Sequence, residues 1–329
     1  MNDSLVSVII PVYQGEHIIL GAVRSALNQT HADLEVFVVD DGSSDGTLAV
    51  LETIDDPRLH VLRQSNAGTA AARNAALRRA RGRYIAFLDS DDRWFPDKIA
   101  TELRVLREAP APVAIAYSSY YAVDDQGRLL HLPPRKTVSG NALEVLLDGE
   151  DFLMPSLCLF DRRIFDHIGL FSVGRYHEDH EFILRASRTY PVFATGKRLV
   201  VYRQSTSGKC RSILADFERA RSEELSVAGD VAALLTPEQQ ARLQRNARRS
   251  LYCRFLMYGF NRHARRMLAE VDLGELRSGK KGWLAWLFAK SGINLLSTAR
   301  SAVQTSYRIF GQRSWGRTLS RSGVELLYG

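Results

Sequence analysis

The stretch VVDDGSSDGT, residues 38–47, runs from an apolar segment into two aspartates and then into a turn-rich segment. A buried carboxylate is costly without a partner. Asp40 and Asp41, at the tip of a strand, therefore either cap the next helix or hold something. Ser43, Ser44 and Asp45 are N-cap candidates for a helix over about 46–54. The same punctuation recurs in RYIAFLDSDD, residues 83–92, where another strand pattern ends in acids.

The flanking sequence fits a repeated strand–helix alternation. VSVIIPV (6–12) is a β-branched run, and EHIILGAVRSALNQ (16–29) sets Ile18, Ile19, Ala22, Ala26 and Leu27 on one helical face. EVFVVDD (35–41) and HVLRQ (60–64) read as strands, and AGTAAARNAALRRAR (67–81) as a helix stopped by Gly82. Pro96 opens a helix to about 108, and IAYSSYYAVD (115–124) is a further strand. This order predicts an α/β domain with a parallel sheet flanked by helices. Ligands of such sheets bind at the carboxyl ends of the strands, so both acidic clusters belong to one rim.

After residue 125 the regularity breaks. A loop is expected over 126–140, a helix over 141–148, a strand over 157–161 and a short helix over 162–168. A helix over 178–190 turns Phe182, Ile183, Ala186 and Tyr190 inward, and 192–204 reads as two strands or one bent one. From about 215 the pattern is helical.

Composition restricts the class. The chain has 329 residues, 45% hydrophobic and 25% charged, as in a globular protein. Cys158, Cys210 and Cys253 show no metal-ligand spacing and imply a reducing compartment. Residues 1–12 lack a basic segment and a cleavage site, so no signal peptide is expected there. The most apolar window, 283–299, is broken by Lys290, Ser291, Gly292 and Asn294 and falls short of a membrane span. Net charge is +7, and residues 211–329 hold 20 Lys+Arg against 10 Asp+Glu, which points to an anionic partner for that region.

Several groups have the chemistry of a site. Asp89 and Asp91, alternating on an extended chain, present two carboxylates to one side. They suit Mg²⁺ or Mn²⁺, which completes its shell with phosphate oxygens and water. An acidic turn before the helix at Pro96 is the plainer alternative. Asp40 or Asp41 can accept the imide N–H of a pyrimidine base or take ribose hydroxyls, or simply cap. Arg73 either faces the rim, to meet phosphate or the acidic cluster, or belongs with Arg78, Arg79 and Arg81 on a solvated helix. Glu178 and Asp179 open a helix, where acids complement the dipole, and an acid there is also placed to serve as a general base. His177 and His180 beside them read as surface histidines. A GxGxxG after the first strand and a P-loop GxxxxGK[ST] are both absent, which disfavours a dinucleotide Rossmann domain.

Taken together, VSVIIPVYQ (6–14), VVDDGSSDGT (38–47), NAGTAAARNAAL (66–77), YIAFLDSDD (84–92) with Trp94, Pro96 and Lys98, IGLFS (168–172) and EDHEFILRA (178–186) resemble the family 2 glycosyltransferases of GT-A fold. The resemblance covers roughly residues 5–205. It implies a Rossmann-like, mostly parallel sheet flanked by helices, with a C-terminal helical region outside it. Residues 1–214 would form the glycosyltransferase domain, with 1–125 the nucleotide-binding half and 126–214 the acceptor half. Residues 215–329 would be the basic helical region.

The implied reaction moves one sugar, with inversion, from a nucleotide-sugar to a glycan or lipid-linked acceptor; UDP is the default nucleotide. Pro11 and Tyr13 would line the nucleotide pocket, Asp40 would hold the base, and Arg73 would support the diphosphate side. Asp91 would hold the metal, with Asp89 on ribose or a metal-bound water. Asp179 would be the base, with Glu178 its helper or the alternative.

The QxxRW motif and membrane spans of processive members have no counterpart in YRQSTSGKCRSI (202–213), which implies single additions. Trp283, Trp286, Leu287 and Phe288 beside Lys280, Lys281 and Lys290 suit an anionic membrane surface. That places the chain in the cytoplasm, at the inner face of the cell membrane. An ordinary helical subdomain is the plainer account, and nucleic acid is not expected, since no RNA-binding motif is present. A non-catalytic nucleotide-sugar binder or membrane-associated scaffold is the alternative to an enzyme.

Overall fold

The computed structural model describes residues 4–132, 137–149, 152–174, 177–204 and 209–272. These fold as two compact units, one of residues 4–143 and 152–204, the other of residues 144–149 and 209–272.

The first unit begins with alternating strands and helices: β1 (Val6–Val12), α1 (Ile19–Leu27), β2 (Leu34–Asp40), α2 (Thr47–Glu52), β3 (Leu59–Arg63), α3 (Thr69–Leu77) and β4 (Tyr84–Phe87). β5 (Arg93–Trp94), α4 (Lys98–Glu108), β6 (Ile115–Val123), β7 (Leu129–His131), α5 (Leu143–Leu147, of which 144–147 belong to the second unit), β8 (Cys158–Asp161), α6 (Arg163–Ile168), α7 (Glu178–Thr189) and β9 (Val192–Arg203) come next. The sheet order is β3-β2-β1-β4-β8-β6-β9-β5, with β7 on β6. β3, β2, β1 and β4 run parallel, as the alternation predicts. Every residue of β1, β2 and β4 is buried, which explains their unbroken apolar runs. Beyond β4 the sheet is mixed: β8 is antiparallel to β4 and β6, whereas β9 is parallel to β6.

This topology positions the site. The chain leaves β1 toward β2 and β3, then returns to β4 on the other side of β1. The crevice at the carboxyl ends of β1 and β4 is a topological switch point. Asp40 ends β2 and Asp89 lies two residues past β4, so both acids reach that rim.

Some local expectations change. β5 and β7 are short strands in segments expected to be a helix lead-in and a loop. α2 is capped by Gly46, while the Asp45 carboxylate accepts the Thr47 N–H from just before the helix. α4 starts at Lys98, not at Pro96. Residues 192–203 form one strand whose register against β6 shifts near Ser119. Phe182, Ile183 and Ala186 are buried as expected, but Tyr190 lies past the end of α7 and joins its hydroxyl to His167 Nδ1 at 2.7 Å.

The second unit is helical where described: α8 (Lys209–Ala215), α9 (Phe217–Asp230), α10 (Pro237–Met257) and α11 (Asn261–Met267). Thr236 and Gln239 form a capping box at the start of α10. Phe217 of α9 stacks on Phe255 of α10 with centroids 5.7 Å apart. Its arginines are largely spent internally: Arg221 pairs with Glu270 at 2.7 Å, Arg242 with Glu144 at 2.6 Å, and Arg254 with Glu224. Trp283, Trp286, Leu287, Phe288, Lys280, Lys281 and Lys290 lie outside the described residues.

Candidate active site

The two loops at the rim are built on each other. After β1, Gln14 adopts a left-handed conformation (φ 53°) and its Oε1 accepts the N–H groups of Ser44 and Asp45, each at 3.1 Å. Gly15 N–H donates to Thr47 Oγ1 at 2.8 Å, and the Glu16 carboxylate accepts Gly46 N–H at 2.6 Å. A Cβ on Gly15 would lie 2.3 Å from Val12 Cγ2, so the turn needs glycine. This lock leaves Tyr13 at the surface, 53% exposed, while Pro11 stays buried in β1.

Asp40 and Asp41 divide the work. Asp41 Oδ1 accepts from Gln64 Nε2 (2.7 Å) and Ala67 N–H (2.9 Å), and its Oδ2 from Gly68 N–H (2.8 Å). It fixes the loop into α3 and does not cap α2. Asp40 is fully buried: Oδ1 accepts Ser43 N–H at 3.0 Å, whereas Oδ2 lies 3.4 Å from Arg63 Nε and has no hydrogen-bond donor among the described residues. A buried acceptor so poorly paired is a place for a ligand donor.

Arg73 is the centre of the second cluster. It faces inward from α3 and is 3% exposed, unlike Arg78 and Arg79 beyond it. Asn74 holds α3 in place by exchanging two hydrogen bonds with the Phe171 backbone, at 2.8 and 3.1 Å. The guanidinium lies over Phe87 and Phe171, 5.8 and 5.3 Å from their centroids. Its Nη2 donates to Asp89 Oδ1 at 2.8 Å, and its Nη1 is 3.5 Å from Glu178 Oε1. Burial disfavours the charge, but Asp89, Glu178 and Asp179 outweigh it and raise the Arg73 pKa. One arginine thus gathers the acids past β4 and the acids opening α7.

Glu178 and Asp179 differ sharply. Glu178 is buried at 6% exposure and turned to Arg73, whereas Asp179 is half-buried and its Oδ1 accepts His180 N–H at 2.8 Å.

The DSDD segment is a turn, not the extended chain expected from alternation. Asp92 N–H donates to the Asp89 carbonyl at 3.0 Å, with Ser90 and Asp91 at the corner. The aim of the two carboxylates therefore comes from turn geometry. Burial and the nearby Asp89 charge push the Asp91 carboxyl up to about 6, with Arg203 and Arg93 opposing. Asp92 is fully buried; burial, then Asp91 and Asp89, push it well above the ordinary range against the Arg203 N–H and the Ser156 hydroxyl. Among the described residues no cluster of three or more His, Cys, Asp or Glu is arranged to hold a metal. Two adjacent, mutually repelling carboxylates with oxygen donors do fit one hard divalent ion that draws its other ligands from phosphate and water.

Sequence reading placed Arg73 at the acidic cluster, where its 2.8 Å bond to Asp89 lies, but missed Ser156 and the role of Asp41 as a loop anchor. The partners of these last two lie far along the chain, so local pattern carries no sign of them. A separate cavity of about 580 Å³ at the opposite end of the strands is lined by Arg83, Tyr84, Arg107 and Asp161. Asp161 there is already bound by Arg163.

With this geometry the relations of the chain become specific. Residues 7–169 match the family described as Glycosyl transferase family 2. An uncharacterized glycosyltransferase of Rickettsia conorii is 35% identical over 171 residues, 50% of this chain and 28% of that one. The Escherichia coli UDP-Glc:alpha-D-GlcNAc-diphosphoundecaprenol beta-1,3-glucosyltransferase WfgD is 40% identical over 126 residues, 38% of this chain and 49% of that one. Staphylococcus aureus TarS 1–349, solved in complex with UDP, aligns over 92% of this chain and 91% of that one with a TM-score of 0.58 and 20% identity. The fold is the α/β GT-A type, a mixed sheet flanked by helices and followed by C-terminal helices. The matched part of the chain belongs to the family 2 glycosyltransferases. The match spans 28% of the length of the Rickettsia conorii relative.

Proposed function

We propose that this chain is an inverting, metal-dependent glycosyltransferase that moves one sugar per encounter from a nucleotide-sugar to a hydroxyl of a glycan or lipid-linked acceptor in cell-surface polysaccharide synthesis. The observation that carries this reading is the convergence on Arg73 of Asp89, from the end of β4, and Glu178, from the start of α7.

Residues 1–125 form the nucleotide half of this assignment. Asp40 Oδ2, buried and without a hydrogen-bond donor among the described residues, receives an N–H of the base. Pro11 and the exposed Tyr13 border it. UDP is the preferred nucleotide, because the Escherichia coli relative is named for UDP-Glc and the TarS neighbour was solved with UDP. Asp91 and Asp89 would hold a Mg²⁺ or Mn²⁺ ion, which when bound offsets negative charge on the diphosphate leaving group. Arg73 acts on that side by fixing Asp89.

Residues 126–214 supply the acceptor side. Asp179 takes the proton of the acceptor hydroxyl as its oxygen bonds to the anomeric carbon. The bond from that carbon to the diphosphate oxygen breaks, and its electron pair leaves with the diphosphate. Direct displacement inverts the anomeric centre. Glu178 is not the base in this assignment, because its carboxylate is buried against Arg73. A lipid-linked acceptor is supported by the name of the Escherichia coli relative. Among the described residues no helix is long and apolar enough to cross a membrane. Peripheral attachment at the cytoplasmic face therefore rests on the basic, tryptophan-bearing sequence beyond residue 272.

The deciding experiment compares UDP, dTDP, GDP and CMP, with Mn²⁺, Mg²⁺ or EDTA, by thermal unfolding of wild type and Asp91→Ala. A ligand at a hundredfold excess over its Kd adds about 2.7 kcal/mol of stability. A metal-dependent shift with one diphosphate, lost in Asp91→Ala, supports the donor site; no shift with any nucleotide rejects it. Asp179→Asn then separates an enzyme from a nucleotide-sugar binder or scaffold, since only an enzyme loses transfer while donor binding stays.

A further inference from the structure

The turn that carries Asp89 and Asp91 is held from outside by one residue far along the chain. Ser156 lies in the 3-10 turn Pro155–Leu157 and is fully buried. Its Oγ accepts the Asp89 N–H at 3.0 Å. Its carbonyl accepts the indole Nε1–H of Trp94, itself fully buried, at 3.0 Å. Ser156 therefore grips the first residue of the turn through its hydroxyl and the strand just beyond through its carbonyl.

Besides the turn's own bond from the Asp92 N–H to the Asp89 carbonyl, two other fastenings act on side chains. Arg203 N–H donates to Asp92 Oδ1 at 3.0 Å and ties the turn to the end of β9. Arg73 holds the Asp89 side chain. Of these three partners from outside the turn, Ser156 alone binds the Asp89 backbone, and so sets where the strand stops and the turn begins. Two neighbouring carboxylates repel each other, and the backbone bonds of the turn act against that repulsion. A site arranged before its ligand arrives spends less binding free energy on ordering.

We propose that Ser156 is the positioning residue of the carboxylate pair, setting the turn so that Asp89 and Asp91 meet a metal–diphosphate in one geometry. This rests on the glycosyltransferase reading of the site.

The test is calorimetric titration of UDP, with Mn²⁺ and with EDTA, into wild type, Ser156→Ala and Ser156→Cys. Both substitutions remove the hydroxyl, and cysteine nearly keeps the volume. The expected result is about a tenfold loss of UDP affinity in Mn²⁺ with the EDTA affinity unchanged. A residue that only supports the fold would lower the ligand-free melting temperature without altering the ratio of the two affinities. An unchanged ratio in a folded variant overturns the proposal, and so does loss of folding in both variants, which would assign Ser156 to the core. A wild type that binds UDP no better with Mn²⁺ fails one step earlier. That result overturns the metal-dependent reading and the role of Ser156 with it.

Discussion

Glu178 and Asp179 are adjacent carboxylates on one helix start, and burial gives them different chemistry. Glu178 belongs to a buried ion pair, where the loss of one partner leaves the other charge uncompensated. Asp179 keeps access to the crevice. Asp179→Asn is therefore expected to lower kcat by about 10²- to 10⁴-fold with UDP binding retained. Glu178→Gln is expected to raise KM for the donor more than it lowers kcat, because it loosens the arginine that fixes Asp89. Steady-state kinetics of both variants check this, and the opposite pattern would make Glu178 the base. At this scale the residue types were legible in the sequence and their division of labour was not. DD and ED each name two acids. Only burial and partners show that Asp41 anchors a loop while Asp40 keeps an unfilled acceptor.

Helix α4 shows how an element is fixed to the sheet. Lys98 and Glu102 are both fully buried and pair at 2.7 Å, one turn apart. Lys98 Nζ also lies 4.3 Å from the Trp94 ring centroid, and Glu102 Oε1 accepts the Ser118 hydroxyl of β6 at 2.7 Å. Burial pushes Glu102 above the ordinary range despite Lys98 and Ser118. Lys98→Met would leave that carboxylate unpaired and is expected to cost about 3–5 kcal/mol by urea denaturation. Adding Glu102→Leu should recover much of the loss. Helix α3 is fixed differently, through the two bonds of Asn74 to Phe171. Asn74→Ala should cost about 1–3 kcal/mol in the same measurement and weaken donor binding by freeing Arg73. Helices and parallel strands were readable here because their apolar periodicity is local. β5 is two residues long and defined by pairing with β9, so no local run announces it.

At the scale of the whole molecule, the end of the sheet opposite the site is stitched by another buried acid. Glu35 of β2 accepts from Ser7 Oγ of β1 at 2.7 Å and from the Arg81 N–H at 2.7 Å, and Ser7 Oγ accepts the Gly82 N–H at 2.8 Å. Burial pushes the Glu35 carboxyl up, but the Ser7 hydroxyl, the Arg81 N–H and the Arg81 guanidinium outweigh it and leave its pKa below the ordinary 4.5. A depressed carboxylate contributes stability above its unfolded value and loses it as pH falls through the folded one. The stability difference between wild type and Glu35→Gln is therefore expected to be full at neutral pH. It should shrink as the pH is taken below 4.5, as followed by denaturation at a series of pH values.

The sequence by itself determined the alternation of β1 to β4, the parallel half of the sheet and the placing of both acidic clusters at one rim. These come from strand and helix periodicity and from the rule that such strands end at the ligand side. It also carried the resemblance to the family that the comparison finds over residues 7–169. The tertiary structure decided the mixed half of the sheet, the turn geometry of Asp89 to Asp92, and the partners of Arg73, Asp41 and Ser156. Those depend on groups brought together from 16 to 67 residues apart. Which carboxylate is buried, paired or left open is a property of the packed interior and its low dielectric, and no local pattern of residues contains it.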